Sequence, residues 1–209
     1  MDTSTRAFAD PREATTYTML QRVLQNHCTT HVMSLLAALT AAVLLLAGTC
    51  VQLCEAGGVE EDTLIQQMLA GLKQLVRTRQ EHVPLLLLTE EADDGDPHDP
   101  RVRAQTEALS RALATLLGDA EEAHHLSREG SWRIARALVA DLLCLWLPPE
   151  PLPEVVVDAV MDQLGRAVAA QIARAHGQTV PAQSGRFGAG VHEAYQAHLH
   201  PPCASRDYP

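Results

Sequence analysis

Two histidines, His27 and His31, stand four residues apart with Cys28 between them. On a helix this spacing places both imidazoles on one face, one turn apart, where they can share a divalent metal ion. A second set, Glu121-Glu122-Ala123-His124-His125, contains Glu-x-x-His twice in overlapping register. Di-iron bundles place Glu-x-x-His on two separate helices and add a Glu from each of two more; here both copies share one segment. A zinc hydrolase of the H-E-x-x-H type needs a glutamate directly after the first histidine, and Cys28 occupies that position. The metal-ligand candidates are therefore His27, His31, Glu121 and His124. The competing expectation is that histidines near a helix end serve only the helix dipole, because ligand spacing makes a site only where the ligands converge.

The remaining chemistry-bearing residues are less organised. The five cysteines, Cys28, Cys50, Cys54, Cys144 and Cys203, form no regular framework and read as reduced thiols, mostly in apolar or helical surroundings. Cys50 and Cys54 lie one helical turn apart. The segment TEEADDGDPHDP, residues 89–100, has six acids, one Gly and two Pro. It lacks the ligand spacing and terminal Glu of a calcium loop and reads as a solvated acidic loop. The histidines of the tail, His192, His198 and His200 with Cys203, suit adventitious metal only. The chain contains no phosphate-binding glycine loop, no G-x-S-x-G elbow and no dinucleotide fingerprint. No catalytic or cofactor-binding residue is assigned, and the sequence leans away from an enzyme.

The element around which any site must be built is the apolar stretch Val32–Cys54. No Asp, Glu, Lys or Arg occurs between Arg22 and Glu55. Its length suits a transmembrane helix over residues 32–53, and three arginines before it with acids after it would place the N-terminus in the cytoplasm. Its flanks argue otherwise. No Trp or Tyr marks an interface, Gln52 sits in the last turn, and a large-residue arc (Leu35, Leu36, Leu39, Val43, Leu46) adjoins a mostly small-residue arc (Ala37, Ala38, Ala41, Ala42, Leu45). A helix apolar on all sides can be the centre of a soluble bundle, and this is the preferred reading. A secretory signal fits poorly, since its n-region is short and basic and its apolar core shorter.

With 209 residues the chain fits one domain. Aromatics are only 3%, so the core must be built from Leu, Val and Ala, which favours helices. The net charge of −10 disfavours nucleic acid and anionic membrane surfaces. Fifteen arginines against the single Lys73 match the coding bias of a GC-rich bacterial genome.

The periodicities predict an all-α fold: a single bundle of about five helices around the helix at 32–54. A flexible start (1–11) precedes a helical domain (12–177), which contains the acidic loop at 89–99; a disordered tail (178–209) follows. Met19, Leu20, Val23, Leu24, His27 and His31 recur at helical spacing in a segment opened by Pro11, which continues or bends near Thr29-Thr30 into the central stretch. The next helix starts at Asp62 or Thr63, with Thr63 and Gln66 at capping-box spacing, and ends near Gln80. Residues 83–88, VPLLLL, read as a buried extended segment or short helix. Asp99-Pro100 opens a helix with Val102, Leu109, Ala112, Leu113, Leu116 and Leu117 inward; it runs through Glu121 towards His125, and Ser127 to Gly130 breaks it. Trp132–Leu147 is the second most apolar helix. Pro153 opens the last, with Val156, Val160, Leu164, Val168 and Ile172 as its stripe, and His176 and Gly177 close it. The expected function is a non-enzymatic, cytoplasmic protein that associates with itself or with another protein. The alternatives are a single-pass membrane protein and a metal-binding helical bundle.

Overall fold

The computed structural model describes residues 8–57, 60–79, 99–123, 125–147 and 153–178, and these form an all-α bundle of six helices. The helices are α1 (Pro11–His31), α2 (Leu35–Gly57), α3 (Glu61–Arg79), α4 (Pro100–Glu122), α5 (Arg128–Trp146) and α6 (Glu154–Ala175). The expected starting segment 1–7, the VPLLLL run, most of the acidic loop, His124 and the tail beyond residue 178 lie outside the described residues.

The central helix begins later than expected. The chain breaks at Val32, which adopts the left-handed conformation (φ 50°, ψ 50°) and is 72% exposed, closing α1 as its C-cap. Ser34 then caps α2, its Oγ accepting from the Ala37 N–H at 3.2 Å. A serine hydroxyl that satisfies an otherwise unpaired helical N–H is a strong start signal. The break separates α1 from the central helix and raises the count to six. α2 then runs on to Gly57, past Cys54.

α2 packs against α3, α4, α5 and α6, most extensively against α5. Leu39, Leu46, Ala38, Ala41, Ala42 and Cys50 are all fully enclosed. Its hydroxyls need no outside partner: Thr40 Oγ1 donates to the Leu36 carbonyl and Thr49 Oγ1 to the Leu46 carbonyl, each at 2.8 Å. One line of α2 stays uncovered, with Leu36, Thr40 and Leu44 half-buried and Gly48 exposed.

The outer helices present the faces that their periodicity implies, with local corrections. α6 buries all five predicted stripe residues, and Gly177 (φ 73°) follows its end. In α1 the buried line is Glu13, Tyr17, Leu20, Leu24 and Cys28, whereas Met19 is 51% exposed. α3 starts at Glu61, so Thr63 lies inside its first turn and caps nothing. In α4 the Asp99 cap holds, its carboxylate accepting from the Arg101 N–H at 2.8 Å; Ala112 faces solvent and Thr106 takes an inward place. Ser127 to Gly130 opens α5 rather than merely ending α4, since Ser127 Oγ accepts from the Gly130 N–H at 3.1 Å.

Cross-helix pairs give the directions. Lys73 reaches Glu154 (3.1 Å) and Asp158, Arg77 reaches Glu154 (2.7 Å), and Leu69 packs on Gly165, so α3 and α6 run antiparallel. These carboxylates raise the Lys73 pKa, Asp158 foremost, and the Glu154 pKa is lowered by Lys73 first and then Arg77. Gly71 meets Arg136 while the Cys144 thiol lies 3.8 Å from the Val76 carbonyl, so α3 and α5 run in the same sense.

Val32 is the one described non-glycine residue with positive φ, and a β-branched side chain is strained there. Val32→Gly is expected to stabilise the protein by about 1 kcal/mol. Urea unfolding checks this: an unchanged or lowered midpoint would show that the exposed Val32 side chain contributes more than its backbone strain costs.

Candidate functional site

The three described metal candidates, His27, His31 and Glu121, do not gather in one place. His27 and His31 do meet, with ring centroids 4.4 Å apart, at the end of α1. His27 lies beside the backbone of Gln105 on α4, and its Nε2 is buried with no hydrogen-bond partner. Its pKa is lowered, first by burial and then by the neighbouring His31. Glu121 belongs to the other end of α4, about 24 Å from Gln105 at roughly 1.5 Å rise per residue. There it accepts a hydrogen bond from the buried Ser131 hydroxyl, which ties α4 to the start of α5. His124 lies outside the described residues. Among the described residues no three His, Cys, Asp or Glu side chains gather in a geometry that could hold a metal. The antiparallel course of α1 and α4 explains the separation: the end of α1 meets the early part of α4, and the start of α1 meets the α4–α5 turn.

That turn holds the first of three arrangements that the sequence did not single out. Glu13, 4% exposed, receives two hydrogen bonds from Arg133, from Nη2 and, at 3.3 Å, from Nε. The forked pair joins α1 to α5 and raises the Arg133 pKa. Beside it Phe8, Asp10, Arg12, His125 and Leu126 line an open groove of about 620 Å³. Asp10 is already engaged, since its carboxylate caps α1 by accepting from the Arg12 N–H at 2.8 Å.

The second arrangement is the seam between α3 and α5. Arg136 stacks over the Trp132 ring, with Cζ 4.6 Å from the centroid. The guanidinium lies directly on Gly71, where a Cβ would stand 2.8 Å from Arg136 Cζ. A glycine in the middle of an amphipathic helix disfavours the helix, and here it makes room for the guanidinium. Arg136 Nε is buried and has no partner, as does the indole Nε1 of Trp132, which faces the Cys50 thiol without a hydrogen bond of ordinary length. Burial, and then the like charge of Arg133, lowers the Arg136 pKa. The sequence did carry a signal: Trp132 and Arg136 are four apart, hence on one face, and Gly71 interrupts an otherwise regular apolar stripe.

Third, Asp141 is 2% exposed in the middle of α5, where burial pushes its carboxyl up to about 7. Cys28, Cys50 and Cys144 are also buried. Cys28 is raised to about 11 and Cys50 to about 12, both chiefly by burial, so neither supplies thiolate near neutrality. Comparison with known proteins finds no matching family model, no matching curated protein and no matching solved structure.

Asp141 has a consequence for stability. Its folded pKa lies above the unfolded carboxylate value of about 3.9, so between about pH 4 and pH 7 the folded chain holds a proton that the unfolded chain has released. Its burial cost is absent below that window and grows as pH rises through it. The urea midpoint is expected to rise on acidification from about pH 8 to about pH 5, with a flatter profile for Asp141→Asn. Profiles of equal slope in both proteins would show that Asp141 ionises freely in the fold.

Proposed function

We propose that the protein is a non-enzymatic helical interaction module that acts in the cytoplasm, with self-association as its simplest mode. The observation that supports this reading is the uncovered line of α2. Leu36, Thr40, Leu44 and Gly48 follow one another at four-residue spacing and carry no charge. Apart from its chain neighbours and the adjacent backbone of α2, no heavy atom lies within 4 Å of where a Gly48 Cβ would be. An uncharged helix line that a second helix can approach closely is a surface suited to protein association. Among the described residues no disulfide joins Cys28, Cys50, Cys54 and Cys144, which suits a reducing compartment.

A second reading takes α2 as a single membrane span, N-terminus inside. Its favouring observation is the length and composition of Leu35–Gly57, whose most apolar 18-residue window has a mean hydropathy of 2.1. Against it, 61% of the most apolar window of that helix is buried by the other helices. Ultracentrifugation with a carbonate wash of the pellet separates the two readings, since a span stays with the membranes.

Gly48→Gln tests the interaction reading without harming the monomer. The exposed position accepts a side chain, and replacing a helical glycine is expected to stabilise the fold by about 0.5–1 kcal/mol. The same substitution is expected to convert an associated wild-type protein into monomer, read by light scattering. A wild-type protein that is strictly monomeric at micromolar concentration and cross-links to no partner from its native cell would sink the proposal.

A further inference from the structure

We infer that Arg136, stacked on Trp132 and seated on Gly71, is the docking point for an acidic side chain of a protein partner. This rests on the reading of the bundle as an interaction module, but it concerns a different surface. Cys50, which faces Trp132, is two residues from Gly48 and therefore on nearly the opposite side of α2.

A guanidinium withdrawn from water is costly unless it is paired. Three other arginines of the bundle have carboxylates: Arg133 has Glu13, Arg77 has Glu154 and Arg103 has Glu107. Among the described residues Arg136 has none, and the only charge there that acts on it is the like charge of Arg133. Its position is nevertheless well defined. Trp132 holds one face of the planar group and the missing side chain of Gly71 makes room for it. The side chain is half-buried, Nε is its enclosed nitrogen and Nη1 is the atom nearest Gly71, so a carboxylate approaches from the terminal end of the group. Such a pre-positioned end matches the two oxygens of one carboxylate, and the pair gains from partial exclusion of water. Arg and Trp are also the residue types that most often carry binding energy at protein interfaces.

The net charge of −10 selects among anions. A polyanion, whether nucleic acid or a lipid surface, would be repelled over the whole chain. A short acidic peptide presents one carboxylate at a time to Arg136 and extends over little of the acidic surface.

The test follows the Arg136 Nε–Hε resonance by NMR in the full-length protein. The probes are an end-blocked triglutamate peptide, its triglutamine counterpart and inorganic phosphate at matched ionic strength. Triglutamate is expected to shift the resonance saturably, with triglutamine at least about tenfold weaker, as loss of a charge-assisted pair implies. Gly71→Ala retains the charge but displaces the guanidinium, and about a fivefold loss of peptide affinity is expected, read by calorimetry. Arg136→Lys, which retains the charge without the planar fork, is expected to lose a similar amount, and Arg136→Gln to abolish binding; circular dichroism and melting confirm that each variant folds. Three results overturn the inference: no saturation by triglutamate, saturation by phosphate at lower concentration than by peptide, or equal peptide affinity in wild type and Gly71→Ala. A cross-linked partner captured equally by wild type and Arg136→Gln would also overturn it and would leave the module reading intact. A strictly monomeric, partnerless wild type would remove the module reading and the protein partner with it, whereas the resonance titration separately reads whether Arg136 takes a carboxylate.

Discussion

The fold depends on enclosing one uncharged helix. α2 carries no charged residue before Glu55, and in water its bare surface would be unfavourable by roughly 25 cal/mol for each Å² of apolar area. Four helices share the work of covering it, α5 most of all. Aromatics are scarce, so the enclosing contacts are mainly aliphatic, with leucines and valines of α3 to α6 in one cluster with the leucines and alanines of α2. The alanine positions matter as much as the leucines, because small side chains let neighbouring helices approach closely.

The polar groups near this core fall into two kinds. Some link elements in ways that suit their surroundings: Glu13 to Arg133, Ser131 to Glu121, and the Lys73–Arg77–Glu154–Asp158 group between α3 and α6. The last group is solvent-exposed, so it fixes register more than it adds stability. Others lie where a core would favour hydrocarbon: Asp141 within α5, Arg136 on Gly71, and the unpartnered atoms Tyr17 Oη, His27 Nε2 and Trp132 Nε1. A sequence that specifies its fold at most positions and departs from apolar packing at a few directs attention to those few. Two of them, Arg136 and Trp132, touch each other, which gives the seam its interest.

The helical architecture was largely legible before any coordinates. Asp99-Pro100 signals a helix start through a capping carboxylate and a proline that needs no N–H, and the structure shows that cap. The α6 stripe was legible because its five residues share one face of a helix packed on one side only. The break at Val32–Ser34 was less so. Ser34 is a good cap residue, but it is embedded in an apolar run with no proline or glycine to mark the turn, and Val32 is a poor residue for the left-handed conformation it adopts. Ser127 was misread for a related reason: one serine can end a helix pattern or begin the next, and only the direction of its hydrogen bond distinguishes them.

Local sequence determined the helices, the apolar nature of α2, and the meeting of His27 with His31, because each depends on residues within a few turns of one another. Tertiary structure alone decided what those helices bring together. It set α1 antiparallel to α4, which separates the histidine pair from Glu121, and it laid α3 beside α5 in the same sense, which seats Arg136 on Gly71. It also decided which line of α2 remains uncovered, since a helix that is apolar on all sides carries no periodicity to say which face its neighbours will leave open.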